Sequence, residues 1–408
     1  MLKTCNLVKN FIALLFIALA LPSCYMARAY KFRKLKLEDH TKLKSTQINI
    51  GAETYSYILA ANDNYRPITN WIDSNIVNTS TKALLVIKND SIVYERYFDN
   101  YTKNTVSPSF SVAKSFVSTL IGIALDENKI KSTDEPFTNY LPYFLKKDER
   151  FANITIQHLL DMRSGIKWNE DAYGLKDDAI KLGFRPNMIP YIKKIKIASK
   201  PCEDSAYKSI NTMLLGMILT KVYNKPLSKI LEEKMWQPMG METTADWNTD
   251  NKKLEITYGG LNATARDFTK LGSLFLHKGI LNNNKIISEA WINKSTNADT
   301  LFNYDGYKNQ WWGKKNYFNY TDSVIAQNKI LELKQKNSIF KYRTFVNKSN
   351  KTIYQLIMPS TTFFAEGILG QFVYVCPDKN LIIVRLGQNW NSNKYYLQGM
   401  LQEIYKKY

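Results

Sequence analysis

Residues 107–127 read SPSFSVAKSFVSTLIGIALDE, and they place Ser111 three positions before Lys114. The spacing alone decides little, because Ser164 with Lys167, Ser205 with Lys208 and Ser338 with Lys341 repeat it. Context separates the four pairs. After Ser111 the chain is apolar at Phe116, Val117, Leu120, Ile121, Ile123, Ala124 and Leu125, a wide stripe that predicts a deeply buried helix with Ser111 in its first turn. One helical turn brings positions i and i+3 to the same face. Free backbone N–H groups and the positive end of the helix dipole then face any oxyanion formed on Ser111. Lys114, one turn into a buried helix, loses hydration, which lowers a lysine pKa and offers a neutral amine to the serine proton.

The other pairs lack this setting. Ser164 is followed by Gly165, a loop signal; Ser338 and Lys341 lie in a charged, non-periodic stretch; Tyr207 stands between Ser205 and Lys208. On pattern alone, an N-cap Ser111 with a structural Lys114 is an equal reading. A histidine-activated serine is disfavoured, since the chain has only His40, His158 and His277 and no G-x-S-x-G elbow. His158 reads as a helix-packing residue. No two histidines stand at ligand spacing and there is no C-x-x-C, so no metal and no cofactor are expected.

The 408 residues, 45% hydrophobic and 13% aromatic, describe a folded globular protein rather than a disordered chain. Lys3 and Lys9 precede the run FIALLFIALALPSC, too short for a stable membrane span but suited to a secretory leader. An exported envelope protein is expected. LPSC ending at Cys24 matches a lipobox, which would acylate that cysteine and tie the protein to a membrane; ARA at 27–29 offers ordinary cleavage instead. The lipoprotein reading is preferred, with 1–23 as leader, 24–50 as tether or N-terminal extension, and 51–408 as one domain. Cys202 and Cys376 are expected to be separate buried thiols. The formal charge of +20 is spread without basic blocks, which argues against nucleic acid and for solubility and weak attraction to anionic surfaces.

KALLVIKNDSIVYERYF (82–98) reads as a hairpin around Asn-Asp, and GQFVYVCPDKNLIIVRLGQ (370–388) as another; YRTFVNKSNKTIYQLI (342–357) offers a third pair. Strands at both ends of a mostly helical middle predict an α+β fold. Its antiparallel sheet is assembled from N- and C-terminal segments, with a helical insert over roughly 130–330.

The order of segments then becomes informative. SFSVAKSFVSTLIGIALDENKIKSTDEPFTNYLP, ITIQHLLDMRSGIKWNED, AYKSINTMLLGMILTKVYNKPLSKILEEKMWQPMGM, TADWNTDNKKLEITYGGLNATARDFTKLGSLFLHKG and FFAEGILGQFVYVCPDKNLIIVRLG together resemble the serine β-lactamase-related superfamily. The nearest resemblance is to its class C-like branch of 6-aminohexanoate-dimer hydrolases and esterases, over about residues 80–390. The resemblance implies a β-lactamase/transpeptidase-like fold, Ser111 as acylated nucleophile and Lys114 as its S-x-x-K partner. It implies Tyr207 as the tyrosine of a Y-x-N motif, with Ser209 where asparagine is usual. A tyrosine beside an ammonium ionises more readily and can shuttle a proton to the leaving group.

The third motif, usually Lys or His, a variable residue, then Gly, is assigned to Ile368-Leu369-Gly370, a departure because Ile368 has no polar side chain. The backbone N–H of Gln371 is then expected to complete an oxyanion hole with that of Ser111. Gly259 and Gly260, within YGGLNATARDF, are placed near the cleft, while Arg266 and Asp267 are expected to be structural. Trp311 and Trp312 are candidates for the cleft wall or for packing. The expected protein is a monomeric serine hydrolase acting on a small or peptide-like amide or ester, β-lactamase and D-peptidase activities included. The alternative is a non-catalytic lipoprotein that binds cell-wall peptides.

Overall fold

Asn89 and Asp90 adopt φ of 49° and 60°, the backbone that a two-residue hairpin needs to match strand twist. They join strands Thr81–Lys88 and Ser91–Tyr97, as the sequence predicts. The computed structural model describes residues 36–60, 63–77, 79–170, 177–304, 306–389 and 398–408. The proposed leader and Cys24 lie outside the described residues. Among the described residues, no helix is long and apolar enough to cross a membrane.

Chain ends far apart in sequence meet in one sheet. Leu381–Gly387 pairs antiparallel with Thr81–Lys88, Ile383 opposite Val86, and with Gln371–Cys376 on its other side. The sheet continues through Thr352–Gly367 to Trp311–Tyr320 and Tyr307–Lys308, with Lys341–Val346 also paired to Thr352–Gly367. At the opposite edge the two-residue strand Ile58–Leu59 adds in parallel. The central strands are buried along their whole length and carry runs of apolar residues such as FVYVC and LIIV rather than an alternation, the pattern of a sheet covered on both faces.

Helices Arg66–Ile76 and Gly399–Lys407 cover one face through Ile72, Ile76, Met400, Leu401 and Ile404. Helix Ala265–Leu276 covers the other. It sits close because of Gly272: a methyl there would lie 2.8 Å from Ile382 Cγ2. Arg266 ties the same helix to the sheet through Glu95 (Nε to Oε1, 2.7 Å), the structural role expected of it. Helix Ala113–Asp126 lies deeper, with Phe116, Val117, Leu120 and Ile121 at 0% exposure. The α+β class and the assembly of the sheet from distant segments agree with the sequence reading.

Two expectations are revised and one is settled between its alternatives. The sheet reclaims the chain at Tyr307, before the end of the expected helical insert, because Trp311 is buried against Phe275 (ring centroids 4.3 Å) and Phe363 (5.3 Å). Of the two readings of 24–50, tether or N-terminal extension, the described end follows the second and is folded onto the body. Lys44–Ile48 pairs with Ala245–Thr249, which pairs in turn with Leu261–Ala263 and, through it, Ser107–Pro108, forming a second, four-stranded sheet. Cys202 and Cys376 are indeed separate thiols, but Cys202 is exposed at a turn with φ of 68° and only Cys376 is buried.

Candidate active site

The short strand Ser107–Pro108 delivers the chain to a tight turn, Phe110–Val112, that runs directly into helix Ala113–Asp126. Phe110 has φ of 44°, an uncommon conformation for a bulky residue and one that clusters where structure over-determines the backbone. Ser111 therefore stands at the head of a buried helix, as its apolar stripe predicts.

Lys114 is 1% exposed. Its Nζ lies 2.8 Å from Ser111 Oγ and 2.9 Å from the Tyr258 carbonyl oxygen, to which it donates. Burial pushes the Lys114 ammonium down to about 8, and the charge of Glu170 opposes part of that fall. A lysine so placed holds far more neutral amine near neutral pH than an exposed lysine does. Of the other serine–lysine pairs, Ser164 is spoken for: its hydroxyl donates to Asn211 Oδ1 at 2.6 Å.

Tyr207 precedes helix Ser209–Tyr223, and Lys114 Nζ sits 4.8 Å from its ring centroid. Trp312 stacks on Tyr207 (5.8 Å, 19° between planes) and Tyr307 meets it edge-on, which fixes the ring beside the ammonium. The two tryptophans thus divide: Trp312 braces Tyr207, whereas Trp311 is a core residue and not a cleft wall. Ser209, in the asparagine position, donates from its hydroxyl and backbone N–H to Glu170. Trp168 Nε1 donates to the same carboxylate at 3.0 Å. Burial raises the Glu170 pKa, while Lys114 and Ser209 pull it down.

Glu170 escapes the sequence reading. Its partners Ser209 and Lys114 are 39 and 56 positions away, and the stretch KWNEDAY around it has no periodicity to mark it. Tyr258 escapes for a different reason: it contributes its carbonyl oxygen, which any residue carries.

The third motif shifts by three residues. Strand Thr352–Gly367 ends at Gly367, and Ile368–Gly370 is a turn with Leu369 at φ 63° and Gly370 at φ 83°. A methyl on Gly367 would lie 2.5 Å from the Ser109 carbonyl oxygen and 3.2 Å from the Ser111 nitrogen, so Gly367, rather than Gly370, is the glycine pressed against the Ser111 turn. The triplet beside the serine is therefore Ala365-Glu366-Gly367. Gln371 lies opposite Gly367 on the next strand, fully buried, with its side-chain amide donating to the carbonyls of Ile368 (3.1 Å) and Gly387 (2.7 Å). The residue following the glycine on the cleft side is Ile368, which lines the cavity at Ser111 together with Gly259 and Gly260. Like Ile368, Ala365 offers no cation.

Arg385 holds this turn. It is buried and donates to the carbonyls of Leu369 (3.2 Å), Gly370 (2.6 Å) and Thr79 (2.8 Å) and to Thr81 Oγ1 (3.0 Å).

Comparison with known proteins bears on the family and the fold. The Beta-lactamase family model matches residues 75–399. The 6-aminohexanoate-dimer hydrolase of Paenarthrobacter ureafaciens is 23% identical over 263 residues, 59% of this chain and 66% of that protein. The D-alanyl-D-alanine-carboxypeptidase/endopeptidase AmpH of Escherichia coli K12 is 24% identical over 170 residues, 40% of this chain and 44% of that one. The matched stretches thus span less than two thirds of these curated relatives. Among solved structures, a Bacillus anthracis protein provisionally described as a 6-aminohexanoate-dimer hydrolase superposes with a TM-score of 0.66 at 21% identity, covering 93% of this chain and 92% of its own. A class C β-lactamase in complex with cefoxitin superposes at 0.56 and 16% identity, covering 85% and 100%.

Proposed function

Because the chain belongs to the Beta-lactamase family, we propose that it is an exported serine hydrolase that cleaves an amide or ester bond through an acyl-enzyme on Ser111. The observation that carries this reading is the buried Lys114 amine, 2.8 Å from Ser111 Oγ and held at about 8. Neutral Lys114 accepts the Ser111 proton as Oγ attacks the substrate carbonyl carbon. The carbonyl oxygen becomes an oxyanion facing the N–H of Ser111 and, in place of the Gln371 N–H expected from the sequence, the N–H of Ile368, the residue after the glycine that approaches Ser111. The proton passes by way of Tyr207 to the departing oxygen or nitrogen as its bond to carbon breaks. Water then attacks the acyl-enzyme, giving its proton back through the same groups, and the acid leaves.

The 6-aminohexanoate-dimer hydrolase relative and the carboxypeptidase relative point to amide substrates. The absence of a cation at Ala365 and Ile368 favours neutral substrates over penicillins and D-alanyl peptides, because a substrate carboxylate there would forgo a charge-assisted hydrogen bond. In the same reading the leader directs export, and acylation of Cys24 anchors the mature enzyme to a membrane. The test is kcat/KM for a neutral p-nitrophenyl ester, an aminohexanoate dimer, nitrocefin and a D-alanyl-D-alanine peptide, with wild type and Ser111→Ala. Turnover of at least one that vanishes in Ser111→Ala supports the proposal; turnover unchanged in Ser111→Ala removes it.

A further inference from the structure

The chain preceding the body does more than lead up to it. Residues Leu37–Lys42 form a short turn locked at both ends. Leu37 is fully buried and its N–H donates to Gln388 Oε1 at 3.0 Å; Asn248 Nδ2 donates to the His40 carbonyl at 3.0 Å; and Lys44–Ile48 continues as a sheet strand. Asp39, 4% exposed, accepts from the Lys36 N–H (2.9 Å) and from Lys42 Nζ (2.7 Å). So fixed, the segment supplies one wall of a cavity of about 140 Å³ that opens beside Ser111. Its other walls are mostly apolar, with Phe110, Ile180, Phe184, Ile256 and Ile368 in the lining and Glu170, Ser209 and Asn248 among their polar members.

Resting on the reading of Ser111 as nucleophile, we propose that this cavity is an acyl-binding pocket, walled by the N-terminal segment 36–43, for an uncharged aliphatic or aromatic acyl group of about four to eight carbons. Three observations set its chemistry. First, size: a cavity of about 150 Å³ lined by aliphatic and aromatic side chains is large enough for a benzene ring. Second, charge: among the described residues, Lys36 is the only lysine or arginine in the lining and it is exposed, so the lining builds in no buried cation to hold a carboxylate on the acyl chain. Third, side: Ser111 and Ile368 line the cavity, whereas Tyr207 and Trp312 do not. The leaving group departs past the proton donor Tyr207, and the acyl group is left on the opposite, apolar side.

Each methylene moved from water into an apolar site is worth roughly a factor of three to four in binding. The experiment measures kcat/KM for p-nitrophenyl acetate, butyrate, hexanoate and decanoate and, by pH-stat, for ethyl and hexyl acetate. Wild type, Leu43→Asn and Ile180→Trp are compared, with fluorophosphonate labelling of Ser111 as a check on each protein. The expected result is hexanoate at least tenfold above acetate, decanoate no better than hexanoate, and little difference between ethyl and hexyl acetate. The hexanoate-to-acetate ratio falls toward one in both variants. A flat acyl series, a preference that follows the alcohol, or a ratio unmoved by both variants while Ser111 still labels overturns the pocket and leaves the nucleophile standing. Failure of Ser111 to label in wild type overturns the nucleophile, and the pocket with it.

Discussion

Ser111, Lys114 and Tyr207 lie together, and in the proposed reaction they handle the proton with a poise set by the burial of Lys114. Lys114 must be neutral to accept a proton, and below its pKa it is not. The acid limb of kcat/KM should therefore rise with pH and level off above about 8. The charge of Glu170 raises the Lys114 pKa against the larger effect of burial. Glu170→Gln should thus move that limb to lower pH, a shift readable in the pH profile even if the rate also drops; an unmoved limb would mean that Glu170 acts only as a brace for Ser209. Lys114→Ala and Tyr207→Phe should each lower turnover by roughly two orders of magnitude or more, as loss of general acid–base help does. The serine, the lysine and the tyrosine were legible because the first two share one helical turn and the third follows in family order. Glu170 was not, since contacts across 39 and 56 positions leave no local mark.

At the scale of elements, the decisive contact is the end of strand Thr352–Gly367 against the Phe110–Val112 turn. Gly367→Ala would drive a methyl into the Ser109 carbonyl, and such overpacking costs about 1–3 kcal/mol. Activity should fall further than stability, because the displaced atoms include the Ser111 nitrogen; Gly370→Ala should leave the Ser111 nitrogen in place. Denaturant midpoints and kcat for the two variants check this. Arg385→Met strips the Leu369 and Gly370 carbonyls of their donor, with an expected loss of about 2–4 kcal/mol by chemical denaturation. Arg385→Lys should rescue little, since one ammonium cannot span acceptors arranged for a planar fork. The sequence offered two glycines three residues apart, neither preceded by Lys or His at the first position of the motif. The close approach of Gly367 to Ser109 and Ser111 tells them apart. Hairpins around Asn89-Asp90 and Pro377–Lys379 were readable because turn chemistry is local, while Lys44–Ile48 was not, its polar KSTQI giving no apolar alternation.

The whole molecule is a sheet with a core on each face, and the site lies where that sheet, the four-stranded sheet and the buried helix converge. A chain of distant segments closes around Ser111, so point changes in the cavity wall from residues 36–43 should reach catalysis although they are more than sixty positions away in sequence. At this scale the export proposal is also testable: Cys24→Ser should release the protein from the membrane fraction or block its processing, whereas a mature N-terminus at Tyr30 without acyl incorporation would favour simple cleavage. The account stands or falls on the nucleophile. Treating the protein with a fluorophosphonate and mapping the adduct by peptide mass spectrometry should give one label, on Ser111, that is lost in Ser111→Ala and slowed in Lys114→Ala. A label that persists in Ser111→Ala, or that maps to Ser164, Ser205 or Ser338, would contradict it.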